Sequence, residues 1–133
     1  MKDIYAPSLS DPFYQGAQGN ESVAESQVAM TNLVTDDQIH LFDLPAGIRI
    51  NSLQVCGSQL SVNKTVTFVL LRPGVDVLDI ELVSLPLTAT LSALLPIQPI
   101  TTAEQGDTLA LRVSAGPVNG LLNVLLRYTV IGY

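Results

Sequence analysis

The sequence predicts an all-β protein, an antiparallel β-sandwich or jelly roll carrying an extended N-terminal arm. Three observations support that expectation. Apolar residues alternate with polar ones in short runs, most cleanly over residues 108–114, where Leu109, Leu111 and Val113 share one parity and Ala110, Arg112 and Ser114 the other. A two-residue period marks a strand with one buried face. Gly, Pro and Asn separate these runs at short spacing, and no stretch supplies the crossover helices that a parallel α/β sheet needs.

Residues 1–20 read as the arm and residues 21–133 as the sandwich domain. Pro7 and Pro12 interrupt regular structure, and Gly16 and Gly19 loosen the end of the arm. Tyr5, Leu9, Phe13 and Tyr14 are nevertheless large apolar anchors. Such an arm is expected to dock, either on its own domain or on a neighbour.

Over residues 21–35 a short helical stripe (Val23, Ala24, Val28, Ala29, Met30) competes with a strand. The β-branched Val28, Thr31, Val34 and Thr35 favour the strand. Residues 38–43 are the next strand, ended by Leu44-Pro45-Ala46-Gly47, a tight-turn sequence. The strand over 47–55 changes parity, because Ile48 and Ile50 fall on one count and Leu53 and Val55 on the other. Both pairs reach one core only with an inserted residue, so a β-bulge is expected at Asn51-Ser52.

Residues 56–64 read as a loop, and 65–72 as a strand closed by Pro73-Gly74. Apolar alternation over 75–84 is ragged. The prolines among residues 87–100 suit edge strands or loops. Gln105-Gly106-Asp107 turns into the strand at 108–114, and Asn119-Gly120 reads as a type I′ hairpin turn. Residues 121–131 form the last strand. Leu122, Val124, Leu126, Tyr128 and Val130 make one face, while Leu121, Leu125 and Ile131 place apolar groups on the other. A sandwich strand is normally wet on that side, so a second buried surface at a subunit contact is expected.

Bulk composition narrows the function. The 133 residues carry a formal net charge of −6, and only 14% are charged, against a usual share of about 25%. An acidic chain lacks the basic footprint that displaces counterions from phosphate, so nucleic acid is not an expected partner. No apolar run approaches the roughly 18 residues of a membrane helix, and the start of the sequence shows no apolar signal segment. Synthesis in a cytoplasm is expected, with no membrane association. Cys56 is the single cysteine, which excludes an internal disulfide.

The inventory for catalysis is thin. His40 is the only histidine. With Asp36, Asp37 and Asp43 it forms an acidic cluster that can offer carboxylate oxygens to a hard cation. It reads equally as an acidic turn leading into a strand with His40 on the solvent face, and EF-hand spacing is absent. One His and one Cys do not make a zinc site. Cys56 needs an oriented base to act as a nucleophile; with apolar residues alternating before it, it reads as a buried structural thiol. Asp79 and Glu81 share a strand face, as a glycosidase pair does, but an exposed polar face explains them as well. The sequons at Asn20 and Asn63 carry little weight without a secretory signal. No catalytic residue, metal or cofactor is expected, and the chain does not read as an enzyme.

The stretch 39–55 (strand, Pro-x-Gly turn, strand) and the stretch 106–128, from Gly106-Asp107-Thr108 through Asn119-Gly120 to Arg127-Tyr128, together resemble the small β-sandwich virion proteins of tailed bacteriophages, especially capsid decoration (cement) proteins. The resemblance lies in layout and composition over residues 38–131. It implies a virion protein on the capsid exterior that stabilises the shell by bridging major capsid subunits, as a homo-oligomer (dimer or trimer), with the arm as a clamp. The competing class is a head-fibre or tail-associated host-recognition module binding through its loops. The host-recognition class would bind through loops such as 56–64 or 73–79, whereas on the capsid reading the partner-binding candidates are Tyr5, Leu9, Phe13, Tyr14, Leu121, Leu125 and Ile131.

Overall fold

The computed structural model describes residues 3–10, 21–72, 78–102 and 106–131. Within them lie nine strands: β1 Asp3–Tyr5, β2 Glu21–Leu33, β3 Gln38–Leu44, β4 Ile48–Ser58, β5 Thr65–Arg72, β6 Leu78–Pro86, β7 Thr90–Thr101, β8 Asp107–Ala115 and β9 Val118–Val130. One short 3₁₀ turn, Pro7–Ser10, comes after β1. Among the described residues no helix is long and apolar enough to cross a membrane.

The strands sort into two sheets. Sheet A has the order β1-β3-β8-β5-β6, and sheet B the order β2-β9-β4-β7. The pairing is nested: β2 with β9, β3 with β8, β4 with β7 and β5 with β6, all antiparallel. This is one long antiparallel ribbon rolled so that successive pairs fall in different layers. Pairs β4–β9 and β5–β8 then knit each sheet together. The result is a jelly roll, which buries the inward-facing half of every strand between the layers. β1 is an addition to it, running parallel to β3 with Asp3 opposite Gln38 and Tyr5 opposite His40.

Alternation decides what is inside. Leu109, Leu111 and Val113 of β8 are fully buried against Val66, Phe68 and Leu70 of β5 and against Leu53, Val55, Val124 and Leu126 from sheet B. Each such side chain contributes about 1.5–3 kcal/mol over its exposed state, so the inward parity is strongly fixed. The parity change in β4 is resolved as expected: the register shifts between Ile50 and Ser52 against both neighbours, so Ile48, Ile50, Leu53 and Val55 all face the core. A second shift, in β3 between His40 and Phe42, buries the consecutive Leu41 and Phe42. The proline-bearing β7 is an edge strand of sheet B.

Three local expectations are overturned. Residues 56–58 are not loop, because β4 continues to Ser58 and pairs there with Leu121 and Thr90. Cys56 is not a core thiol: it comes directly after inward Val55, so it lies half-exposed on the outer face of sheet B. Asn119-Gly120 is no hairpin turn, since β8 and β9 belong to different sheets and the chain crosses between them at Gly116-Pro117. Its Asn-Gly signature has another cause. The Asn119 side chain accepts the Asn32 N–H at 2.8 Å, and its backbone N–H donates to Ser61 Oγ at 3.0 Å. A Cβ on Gly120 (φ 130°) would meet Gln59 O at 2.8 Å and Leu60 Cδ2 at 2.7 Å. Close approach of the 59–64 loop selects the glycine there. The turn expected at Pro73-Gly74 lies outside the described residues.

Candidate functional site

The jelly roll leaves two outer faces, and the candidate residues divide between them. On sheet A, β1 sets Tyr5 beside His40 of β3. The two rings stack with centroids 4.7 Å apart at 26°, and His40 Nε2 lies 3.3 Å from Asp3 Oδ1. Tyr5 remains 63% exposed. Leu9 is half-buried in the 3₁₀ turn. Phe13 and Tyr14 lie outside the described residues.

The rest of the outer face of sheet A is tied to itself. Thr67 Oγ1 is 2.7 Å from Ser114 Oγ and 3.1 Å from Ser84 Oγ, linking β5 to both its neighbours. Arg112 donates to Gln38 Oε1 at 3.0 Å, and Thr108 donates to Asp43 at 2.9 Å. Val69 and Ala110, on this same outward parity, are fully buried.

The acidic cluster does not assemble. Asp37 is buried and accepts the Val34 N–H at 3.0 Å, Asp36 is exposed at φ 73°, and Asp43 is engaged with Thr108. Among the described residues no three His, Cys, Asp or Glu side chains are grouped to hold a metal ion. Cys56 and His40 project from opposite faces of the sandwich, so no Cys–His pair forms. Glu81 is exposed on edge strand β6.

Sheet B presents a different surface. Its outer rows are fixed by register to β9: Val23 beside Arg127, Glu25 beside Leu125, Gln27 beside Asn123 and Ala29 beside Leu121. On the other side of β9 lie Gln54, Cys56 and Ser58, and beyond them Leu94, Ser92 and Thr90 of β7. Leu121 is 51% exposed and Leu125 half-buried; Val23 (50%) and Leu94 (62%) are two further exposed apolar residues, outside the set expected from the sequence. Val23 had a signal, because it sits on the opposite parity from buried Ser26, Val28 and Met30. Ile131 lies just past β9, 37% exposed, its N–H donated to Gly47 O at 2.9 Å.

Small residues on either side of β9 hollow this face. Ala29, Gly57 and Ser58 help to line a depression of about 550 Å³, together with Gln27, Cys56, Leu121 and Asn123. The Asn123 Oδ1 atom is buried there without a hydrogen-bond partner among the described residues. Cys56 Sγ stands 3.9 Å from Ser92 Oγ. At one end of the same face the bulge residue Asn51 donates to Glu21 Oε2 and Thr129 Oγ1, both at 2.8 Å, and accepts from Arg49. Sheet B's outer face thus combines exposed apolar area with a hollow.

No protein-family profile and no curated protein matches the sequence at a significant level. Solved structures do match its fold. A chain in the capsid of Ralstonia phage GP4 superposes with a TM-score of 0.71 at 14% identity, over 98% of this chain and 99% of that one. A chain in the cyanophage Pam1 capsid asymmetric unit gives a TM-score of 0.59 at 20% identity, over 92% of each. At these identities the likeness is one of fold.

Proposed function

We propose that the chain is a structural, non-catalytic virion protein that decorates a bacteriophage capsid and stabilises it by bridging major capsid subunits. The observation that carries this reading is the end-to-end likeness to the GP4 capsid chain, which is matched over 99% of its own length. The match is therefore to a whole short chain and not to one layer of a larger subunit. The outer face of sheet B supports the reading physically. Leu94, Leu121 and Val23 leave apolar area in water on this face, which a shell contact would bury. In this reading the outer face of sheet B meets the shell or a second copy, and the protein acts as a small homo-oligomer on the capsid exterior; Asp3–Tyr5 of the arm is held in the chain's own sheet A and supplies none of the reach.

The test is co-sedimentation of the purified chain with capsids of the phage that encodes it, scored for saturation and for resistance of the shell to heat. Saturable binding with a raised disruption temperature is the expected result. Binding confined to host-cell surfaces or glycans, with none to capsids, would replace this reading by the host-recognition one.

A further inference from the structure

The outer face of sheet B carries a ridge and, beside it, a hollow, and both run across all four strands. Register sets the rows. Glu25, Leu125, Gln54 and Leu94 stand side by side on β2, β9, β4 and β7. The next row is Gln27, Asn123, Cys56 and Ser92, and the one after it Ala29, Leu121, Ser58 and Thr90. Only long side chains make up the first row, and Leu94 at its end is 62% exposed. Cys56, Ser92, Ala29 and Ser58 are short, and the depression opens at their level, reaching from Ala29 on β2 to Leu91 on β7. Successive rows on one face lie about 7 Å apart along a strand.

A ridge that runs parallel to a hollow makes a face complementary to itself. Consider a second copy related by a twofold axis that crosses the strands between the first row and the second. The ridge of each copy then enters the hollow of the other, as an isologous contact requires. Leu94 comes to lie over Ser92 and Cys56 of the second copy, Leu125 over Asn123, and Glu25 over the uncharged Gln27. Other twofolds mesh less well. An axis through the first row stacks ridge on ridge and sets Glu25 against itself, a like-charge contact. An axis along the strands also opposes each row to itself. Aligned packing of two sheets about 10 Å apart is an ordinary arrangement. Four strands about 4.8 Å apart, over about ten residues, give the pair roughly 1,300 Å² of contact, within the range of about 1,200–2,000 Å² for stable interfaces.

We propose that a second copy of this chain covers sheet B, giving a twofold dimer with the ridge of each copy in the hollow of the other. A shell contact would bury the same apolar area, but it gives no reason for ridge and hollow to run parallel at one row's spacing. The dimer specifies the homo-oligomer of the function proposed above and rests on that part of the reading alone. Two copies attach to a shell at two points, so losing the dimer lowers capsid affinity as well.

Sedimentation equilibrium of the purified full chain should show a monomer–dimer equilibrium in the micromolar range or tighter. Leu94→Asp, which charges the ridge, should raise the dimer Kd by about a hundredfold, because twofold symmetry makes one substitution count twice. Ser92→Arg, which fills the hollow beneath Leu94, should raise it by at least about tenfold. Glu81→Lys, exposed on sheet A, should leave it unchanged. In a mixture of labelled and unlabelled chain, isotope-filtered NMR should show the Leu94 and Leu125 methyls of one copy against Ser92, Cys56 and Asn123 of the other. A chain that stays monomeric at millimolar concentration, a dimer indifferent to Leu94→Asp and Ser92→Arg, or methyl contacts that pair Leu94 with Leu94 and miss Ser92 would each overturn the proposal. A monomer that still binds capsids removes the pairing and leaves the shell reading. A dimer with the expected methyl contacts that binds no capsid does the reverse.

Discussion

The two outer faces of the jelly roll come from the same ribbon, yet they solve the problem of facing water differently. Sheet A closes its polar groups on one another, through Thr67 with Ser84 and Ser114, Arg112 with Gln38, and Asp43 with Thr108. Sheet B leaves Val23, Leu94 and Leu121 exposed and Asn123 Oδ1 unpaired. A surface that satisfies itself gains nothing from a partner beyond area. One that holds exposed apolar groups gains their burial on association. Under the function proposed above, this asymmetry makes A the free face and B the covered one.

The largest effect should come from placing charge on the covered face. Leu121→Asp combined with Leu94→Asp is expected to lower capsid affinity by about a hundredfold or more, the range of interface hot spots. Tyr5→Asp on sheet A should change it less than about threefold. Both chains should stay folded and lose no more than about 1 kcal/mol, since the altered side chains are largely exposed. Equal losses from the two faces in a sedimentation titration would break the comparison.

Stability should then answer in opposite senses on the two faces. Thr67→Val removes the hydroxyl that bridges Ser84 and Ser114 and should cost about 1–2 kcal/mol in urea unfolding, one to two net hydrogen bonds. Asn123→Leu, also polar to apolar, deletes an acceptor already unpaired and should stabilise the chain by up to about 1 kcal/mol. If both substitutions destabilise alike, sheet B is as self-satisfied as sheet A.

The smallest change belongs to β1. Tyr5→Ala loses a stacked ring that is mostly exposed and should cost about 0.5–1 kcal/mol. The loss should appear first as faster hydrogen exchange at His40 and its neighbours on β3.

Much of this architecture was legible in the sequence because burial fixes parity. The strand read over 65–72 is β5, Thr65–Arg72, and the mismatch between Ile48/Ile50 and Leu53/Val55 located a bulge that the register contains. The prolines of β7 pointed to an edge strand, because they cannot donate to a second neighbour. Pairings between distant segments, such as β2 with β9, leave no local trace, so the Asn-Gly at 119–120 suggested a hairpin where the chain changes sheets. The candidate surface was half legible. Leu121 and Leu125 stood out within one strand, whereas Val23, Leu94 and the hollow around Asn123 exist only after β2, β9, β4 and β7 are set side by side.

Cryo-electron microscopy of capsids saturated with the purified chain tests the assignment of faces most directly. The expected density has Val23, Leu94, Leu121 and Leu125 against a neighbouring subunit, with the Thr67–Ser84–Ser114 cluster turned to solvent. Density with sheet A on the shell and Leu94 and Leu121 in open solvent would contradict that assignment.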